Sequence, residues 1–364
     1  MRVLHLIYDH VGNPWVGGGG GVRTLEFYRR LARKGHEITV VCGRYPGAQD
    51  YQEEEGRLKF HFVGTGRDNY VLSTFCYALK AMGYLRRHAR RADVVVEDFA
   101  PWNPLFSFLL ARTPVVIQLQ SREGINILRR YFLLGIPFWI LAVLYPRVFR
   151  HKICLSEAMA GKLGLRDAQI IPNGVDASLL RNPVNGRGYG VFLGRLHAYT
   201  KGLDVLLQAL KMVPDLRLKV GGTGSDLRKL QDLARHLGIA KRVEFLGFVS
   251  GKAKEELLGG ADFIALPSRF EGQPLSLLEA AACGKPAVVS DLPELAFAVQ
   301  AGFALPAKVG DAKDLAEKIN LLLKDAQLRR KMGQRAREFA RDFTWDALAE
   351  RYEEFLLRLC GGGR

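Results

Sequence analysis

The stretch FIALPSRFEGQPLSLLEAAACGKPAVVS, residues 263–290, decides the fold class of this chain. Its apolar start, residues 263–267, is typical of a buried strand, and the polar residues 268–273 indicate a loop. Pro274 suits the first position of a helix, because its missing N–H would have no acceptor there. A second apolar strand follows the alanine-rich helix at Ala287–Ser290. Strand, helix and strand in this order predict a parallel sheet.

The same alternation of apolar strands and helical periodicity continues along the sequence. One segment places Leu203, Leu206, Leu207 and Leu210 on a single helical face. The other predicted strands are residues 3–8, 37–41, 58–63, 93–97, 114–118, 152–155, 189–193, 217–220 and 243–246. Such regular alternation predicts parallel, doubly wound sheets and therefore the α/β class.

A stretch rich in Asn, Gly and Pro, RNPVNGRGYG at residues 181–190, separates two series of strands and helices. We interpret it as a linker between two Rossmann-like domains, residues 1–180 and 191–342. The chain has 364 residues, 48% of them hydrophobic, which is enough for two full cores. Ligands of such domains bind at the carboxyl ends of the strands, so we expect a site facing a central cleft.

Composition narrows the range of partners. A formal net charge of +16 attracts phosphates, nucleic acid or anionic lipid. Charge alone supports the alternative of a nucleic-acid-binding protein, because no motif for that function accompanies it, and we expect no nucleic-acid partner. Five scattered cysteines argue against disulfides and a zinc site, favour a reducing cytoplasm and predict no metal. The N-terminal apolar run is too short and too polar for a signal peptide.

Glycine-rich and basic motifs occur where phosphate chemistry would need them. Residues 17–21 are all glycine and precede a helix predicted from residue 22, whose free N–H groups could bind an anion. The spacing does not match the dinucleotide fingerprint, which disfavours a nicotinamide dehydrogenase. Gly222 lies in VGGTG after a strand. Glycine there would let the backbone approach a nucleotide, or it would simply form the turn from strand to helix. Arg195 and Lys201 flank a helix start and could neutralise a diphosphate, although isolated pairs are often surface charges.

Two glutamates lie on either side of the predicted helix start at Pro274. The backbones of Leu275 and Ser276 would offer N–H groups to a phosphate. Glu279 lies roughly 7 to 8 Å further along the helix axis, so one ligand could reach both it and Glu271. Glu279 could be an exposed helix residue, but its neighbours are so apolar that its face is expected to be buried, where an unpaired carboxylate is costly.

Together these motifs resemble glycosyltransferase family 4, whose members are retaining, nucleotide-sugar-dependent enzymes with the GT-B fold. Glu271 and Glu279 match the family's E-x7-E pattern. The other matching stretches are the glycine run, IPNGVD (171–176), GRLHAYTKG (194–202), VGGTG (220–224), VEFLGFVS (243–250) and FTWDALAERYEEFL (343–356). They follow the family's order over nearly the whole chain.

The resemblance implies transfer of a sugar from a UDP- or GDP-linked donor to an acceptor hydroxyl, with retention and without a cofactor or metal. Arg195 and Lys201 would hold the diphosphate, Glu271 the transferred sugar and Glu279 the ribose, with the Leu275 and Ser276 backbones in the phosphate cradle. A closing helix, residues 343–360, would return to the N-terminal domain. The remaining implied donor-side residues are Gly18, Gly19, Gly20, Gly21, Gly194, Gly222, Phe248, Val249, Gly272, Gln273 and Pro274.

One departure concerns the acceptor side. Family members often have a histidine after the strand at residues 114–118, where this chain has Gln118 and Gln120. Glutamine cannot act as a base near neutral pH, which favours a route that passes the acceptor proton to the leaving phosphate. Further acceptor-side candidates are Asp98, Glu123 and His10.

The acceptor itself is indicated only by the first half of the chain. Residues 131–146 carry no charge, yet they are too short to span a membrane, and Pro137 would kink a helix. They form either buried helices or an interfacial segment on an anionic membrane, beside Arg29, Arg30, Arg86, Arg87, Arg90 and Arg91. The second reading suits a lipid-linked acceptor in envelope polysaccharide or lipopolysaccharide assembly. A transferase that makes a free glycoside from a soluble acceptor is the alternative.

Overall fold

A computed structural model describes residues 1–15, 18–120, 132–181 and 186–361. The chain forms two units, one made of Met1–Asn173 with Trp345–Arg364 and the other of Gly174–Thr344. The two-domain α/β architecture predicted from the sequence is therefore observed.

The boundary lies before the predicted one, at Asn173 instead of residue 180. The reason is that the chain already packs on the second unit at Val175, whose N–H donates to Phe343 O at 2.8 Å, and at Leu179, which is buried in the second core. Of the predicted linker, residues 182–185 lie outside the described part, and Arg187 N donates to Gly260 O at 2.8 Å within the second unit.

The first unit contains an eight-stranded sheet in the order β3-β4-β2-β1-β5-β6-β7-β8. Its neighbouring strands are parallel except β3, which runs antiparallel to β4 and corrects the prediction of a wholly parallel sheet. The central strands carry fully buried valines and leucines on both faces, as a sheet covered by helices requires. Strand bounds are β1 Arg2–Ile7, β2 Glu37–Gly43, β3 Tyr51–Glu54, β4 Leu58–Val63, β5 Val94–Asp98, β6 Val115–Leu119, β7 His151–Cys154 and β8 Gln169–Ile170.

Helices of the first unit include the end of the chain. The last helix packs on the first, where the rings of Phe27 and Tyr352 stack with centroids 4.8 Å apart, so the predicted return of the C-terminal helix is confirmed. Asn69 caps the second helix by accepting from Leu72 N at 3.0 Å. The bounds are α1 Gly19–Arg33, α2 Tyr70–His88, α3 Ser107–Leu110, α4 Ile136–Leu144, α5 Glu157–Leu163 and, at the end of the chain, α14 Trp345–Gly361.

The second unit contains a six-stranded parallel sheet in the order β11-β10-β9-β12-β13-β14. The two strands of the opening stretch are neighbours, with Ile264 opposite Ala287. The predicted leucine face at residues 203–210 is buried. Strand bounds are β9 Gly190–Leu193, β10 Leu218–Gly221, β11 Val243–Gly247, β12 Phe263–Leu266, β13 Ala287–Ser290 and β14 Ala304–Ala307. Helix bounds are α6 Ala198–Lys201, α7 Leu203–Lys211, α8 Leu227–His236, α9 Gly251–Gly260, α10 Leu275–Ala282, α11 Ala296–Gln300, α12 Ala312–Lys324 and α13 Ala326–Arg341.

Across the described residues, every helix is too short or too polar to cross a bilayer.

Candidate functional site

Glu271 is fixed by two donors just beyond the carboxyl end of β12. Its Oε1 atom accepts from Lys201 Nζ at 2.7 Å and from Ser268 Oγ at 2.7 Å. The glutamate side chain is only 5% exposed, whereas that of the lysine is 25% exposed. An ammonium group has three donors, so Lys201 keeps N–H groups for a second anion while it orients the carboxylate. Two residues predicted for one donor site, Glu271 and Lys201, are therefore in direct contact.

Gly202 makes this approach of Lys201 geometrically possible. It has a φ of +66°, and a Cβ atom there would lie 1.9 Å from the carbonyl oxygen of Pro267. Only glycine combines this left-handed conformation with such close backbone contact. The junction between α6 and α7 thus packs directly against the end of β12, which places Lys201 beside Glu271.

The helix that follows the loop begins one residue later than predicted. Pro274 has ψ of 120°, an extended value, so it is the N-cap and Leu275 is the first residue of α10. The Pro274 carbonyl accepts from Leu277 N at 3.1 Å, which is the first hydrogen bond of the helix. The N–H groups of Leu275 and Ser276 precede that bond and therefore have no acceptor within the helix itself.

Glu279 forms an ion pair that the sequence did not indicate. Its Oε1 atom lies 2.6 Å from Lys254 Nζ, which belongs to α9. Burial raises the pKa of Glu279 above its usual range, and the neighbouring ammonium acts in the opposite direction. The predicted burial is observed in part: Leu278 and Ala280 are inaccessible, whereas the Glu279 side chain is 14% exposed. Because a carboxylate removed from water needs a cation, the sequence could have predicted that Glu279 has a basic partner. It could not have identified Lys254 as that partner.

The glycine after β10 has a local structural role. Gly222 has a φ of +138°, and a Cβ atom there would lie 1.8 Å from Gly194 O. Its N–H donates to Gly247 O at 2.6 Å. Gly222 therefore lets the ends of three neighbouring strands pack backbone to backbone.

The other predicted donor-side residues follow the carboxyl ends of adjacent strands in one sheet. Arg195 lies just after β9 and is exposed, and Phe248, after β11, is 75% exposed. Val249 packs against the core, Gly272 is half-buried and Gln273 is buried. Since β11, β10, β9 and β12 are neighbours in the sheet, these residues gather along one edge.

The first unit has a polar cluster centred on Asp98, at the end of β5. The carboxylate accepts from Gln120 Nε2 at 2.8 Å, from Gln118 Nε2 at 3.2 Å and from His5 Nε2 at 2.8 Å. Because a carboxylate can only accept, the His5 proton is assigned to Nε2. Three of the predicted acceptor-side residues are therefore in direct contact.

His5 continues this cluster into the interior, which sequence reasoning missed. Its Nδ1 atom lies 2.6 Å from Tyr28 Oη, and that oxygen lies 3.1 Å from Tyr352 Oη on α14. With the proton on Nε2, Nδ1 accepts from the Tyr28 hydroxyl, which in turn accepts from Tyr352. A chain of hydrogen bonds thus connects the C-terminal helix to Asp98.

The glycine run of the first unit differs from its prediction. Helix α1 begins at Gly19 instead of residue 22, because the Asp9 carboxylate accepts from Gly21 N at 3.1 Å and from Gly18 N at 3.4 Å. In this structure the N–H groups of Gly18 and Gly21 thus bond to the protein's own carboxylate, and their contact with a donor phosphate stays a prediction. Gly20 lies against Gln120, whose Oε1 would be 3.0 Å from a Cβ atom. Gly17 is outside the described residues.

His10 is a core residue, which corrects its place among the acceptor-side candidates. It is 6% exposed, packs edge-on against Phe60 and Phe62, and lies 3.1 Å through Nδ1 from Tyr45 Oη. Burial lowers the pKa of its imidazole. Glu123 lies outside the described residues. In the described ranges, no three His, Cys, Asp or Glu side chains are grouped to hold a metal ion.

Two family models match consecutive parts of the sequence. Residues 17–179 match the model "Glycosyltransferase Family 4", and residues 182–339 match "Glycosyl transferases group 1". The chain is also 36% identical over 366 residues to the N-acetyl-alpha-D-glucosaminyl L-malate synthase of Bacillus anthracis, a match that covers 93% of each protein. This chain belongs to the family 4 glycosyltransferases.

Other relatives match over shorter lengths. An uncharacterized glycosyltransferase of Methanocaldococcus jannaschii is 30% identical over 198 residues, 53% of this chain and 55% of that protein. The N,N'-diacetylbacillosaminyl-diphospho-undecaprenol alpha-1,3-N-acetylgalactosaminyltransferase of Campylobacter jejuni is 45% identical over 98 residues, 27% of this chain and 26% of that one. These two matches thus span about half of the relative's length or less.

Solved structures share the fold over the whole chain. Sucrose-phosphate synthase from Thermosynechococcus elongatus superposes with a TM-score of 0.83 at 18% identity, covering 100% of both chains. HepE of Anabaena in complex with UDP-glucose gives a TM-score of 0.76 at 19% identity, covering 98% of this chain and 99% of that one. WaaG, a glycosyltransferase involved in lipopolysaccharide biosynthesis, gives 0.75 at 17% identity, covering 97% and 99%. These likenesses establish the GT-B fold.

Proposed function

We propose that this protein transfers a sugar from a UDP- or GDP-linked donor to an acceptor hydroxyl, with retention of anomeric configuration and without a metal ion. The observation that carries this proposal is the Glu271 carboxylate, held at 2.7 Å by both Lys201 and Ser268 directly before the N-terminus of α10. A fixed carboxylate suits hydroxyl groups of a sugar, and the adjacent cation and helix N–H groups suit a diphosphate.

The donor reaction would depend on stabilising the leaving diphosphate. In this proposal, Lys201 and Arg195 neutralise negative charge as the bond between sugar and phosphate breaks, while the N–H groups of Leu275 and Ser276 donate to phosphate oxygens. Glu271 positions the sugar hydroxyls and Glu279 accepts from the ribose. Cations and helix N–H groups supply the charge stabilisation that a divalent ion gives in other phosphate enzymes.

The acceptor would bind on the first unit, near Asp98. Gln118 and Gln120 orient that carboxylate but cannot take a proton themselves. The acceptor oxygen forms its bond to the anomeric carbon, the leaving oxygen keeps the electron pair of the broken bond, and the acceptor proton passes to that departing phosphate. Asp98 would help to orient the reacting hydroxyl.

A lipid-linked or envelope-glycan acceptor is the form of the proposal that we favour. The Campylobacter relative is named for a substrate linked to undecaprenol, whereas the Bacillus relative is named for malate. Related names therefore cover both lipid-linked and small acceptors. The formal charge of +16 favours the first, since it suits an anionic membrane face.

Thermal-shift measurements with UDP, GDP, UDP-glucose, GDP-mannose and NAD test the donor assignment. A nucleotide at 100 times its Kd stabilises the protein by about 2.7 kcal/mol, which raises the melting temperature by several degrees. We expect a shift with a uridine or guanosine diphosphate compound, and its loss in Lys201→Met but not in Lys211→Met, an exposed lysine on α7. A shift with NAD alone would overturn the proposal.

A further inference from the structure

Helix α2 presents an apolar stripe to the outside of the first unit. Val71, Phe75 and Leu79 are 74%, 61% and 53% exposed. Their spacing of four residues places them on one side of the helix. The opposite side, including Tyr77 and Ala81, is buried in the core. The helix is therefore apolar on its exposed side as well as on its buried side, which its own fold does not require.

The next two described helices of the first unit, α3 and α4, also expose apolar side chains. Helix α3 contacts α2 and exposes Leu109 by 71%. It is joined to the end of α4 by the bond from Phe106 N to Tyr145 Oη, 2.6 Å. Helix α4 exposes Ile140 and Leu144 while it buries Ala142, so this apolar segment is partly buried and partly exposed. We call the α2 stripe of Val71, Phe75 and Leu79 the apolar face.

Four arginines follow the stripe at the C-terminal end of α2. Arg86, Arg87, Arg90 and Arg91 are exposed, and none of them forms an ion pair with a carboxylate of the described residues. The other arginine cluster behaves differently. Arg29 pairs with Glu54 at 2.7 Å and Arg30 with Asp346 at 2.6 Å, so these two are neutralised within the protein and leave the set of candidate membrane contacts.

We propose that the apolar face docks on an anionic phospholipid bilayer, with the four arginines against its headgroups. This inference rests on the proposed function only in that a lipid-linked acceptor explains why the enzyme would dock. Apolar side chains enter the interfacial region while neighbouring cations attract anionic lipid. A second copy of this chain would offer the same positive charge, whereas an anionic bilayer offers the complement.

Vesicle flotation with the full chain and no nucleotide sugar tests the docking surface. The probes are vesicles of phosphatidylcholine alone and of phosphatidylcholine mixed with phosphatidylglycerol, each at low and high salt. We expect flotation with the anionic vesicles at low salt and a marked loss at high salt. Replacing Arg86, Arg87, Arg90 and Arg91 with glutamine should weaken binding by about fivefold per cation, corresponding to about 1 kcal/mol each.

The variant Val71→Ser, Phe75→Ser, Leu79→Ser should lose binding by at least about tenfold, because several apolar groups no longer enter the interface. A matched control, Met212→Ser, Leu321→Ser, Leu357→Ser, removes three exposed apolar side chains elsewhere and should bind like the wild type. Circular dichroism confirms folding of both.

Three outcomes would overturn the inference: no binding of the wild type to anionic vesicles, equal losses in the two serine variants, or self-association that the α2 variant abolishes while vesicles are not bound. The thermal-shift assay contains no lipid, so failure of the donor proposal is measured separately.

Discussion

Lys254 Nζ lies 2.6 Å from Glu279 Oε1 and joins α9 to α10 at the carboxylate proposed to hold the ribose. We predict that Lys254→Met weakens binding of UDP or GDP, because the largely buried carboxylate loses the ammonium that orients it and favours its charge. Calorimetry with the ribonucleotide and its 2',3'-dideoxy analogue isolates the effect. The wild type should prefer the ribonucleotide by roughly tenfold or more, and Lys254→Met should lose most of that preference.

The affinity for the dideoxy analogue serves as the control in that comparison. It should change little, since the analogue offers no hydroxyl to Glu279. Equal weakening of both ligands would mean that Lys254 contacts the nucleotide elsewhere.

The chain from Tyr352 through Tyr28 and His5 to Asp98 predicts a specific spectroscopic change. Tyr28→Phe removes the hydroxyl that donates to His5 Nδ1, so the ring loses the bond that fixes its tautomer. We expect a shift in the 15N resonances of His5 and a loss of about 1 to 3 kcal/mol in unfolding free energy. Tyr77→Phe, which removes a hydroxyl that donates to Val41 O, is the control and should leave the His5 resonances unchanged. Unchanged resonances in Tyr28→Phe would refute the assigned chain.

Gly202 allows a quantitative comparison of two alanine substitutions. Gly202→Ala would place Cβ 1.9 Å from Pro267 O, whereas Gly238→Ala has a similar φ of +71° and no atom within 4 Å. The second variant should therefore lose only the cost of left-handed strain, about 1 kcal/mol. The first should lose at least about 3 kcal/mol and also the nucleotide-dependent thermal shift, because Lys201 moves away from Glu271. Chemical denaturation measures the difference, and similar losses would contradict the role of this contact.

Lys285 predicts a stability change at alkaline pH. It is almost inaccessible, its Nζ donates to Gly259 O at 2.7 Å, and burial lowers its pKa to about 8. Between about pH 8 and pH 10.5 the unfolded chain binds a proton at this lysine that the folded protein does not, so unfolding free energy rises with pH. The rise attributable to Lys285 should approach about 3 kcal/mol. Denaturation of wild type and Lys285→Met across this range isolates the contribution, and parallel pH profiles would disprove it.

Much of the fold followed from local patterns in the sequence. In residues 58–62, apolar and polar side chains alternate with the period of two that predicts a strand, and β4 includes that segment. Strand β3, Tyr51–Glu54, was missed because its residues YQEE are polar and its pairing comes only from its neighbour β4. Strand β14 was missed because Pro306 argues against a strand, although it is tolerated at a sheet edge.

The site was predictable only as far as motifs and strand ends determine it. Glu271 and Lys201 could be assigned to one donor site because they follow β12 and β9, which are neighbours in the sheet. Lys254 and Tyr352 could not be assigned, because nothing in the sequence around either residue indicates its partner, Glu279 or Tyr28. Asp9 was overlooked because it lies in the loop after β1, and nothing local indicates that the fold brings its carboxylate to Gly21.

The pairing of Phe27 with Tyr352 has a consequence for synthesis on the ribosome. Helix α1 emerges early, but its partner α14 is translated only after the whole second unit. During that interval the aromatic side of α1 has no packing partner, so the nascent first unit exposes an apolar surface that is prone to aggregation. The first unit can complete its packing only after α14 has been translated. A chaperone that shields α1 until then would raise the yield of native protein.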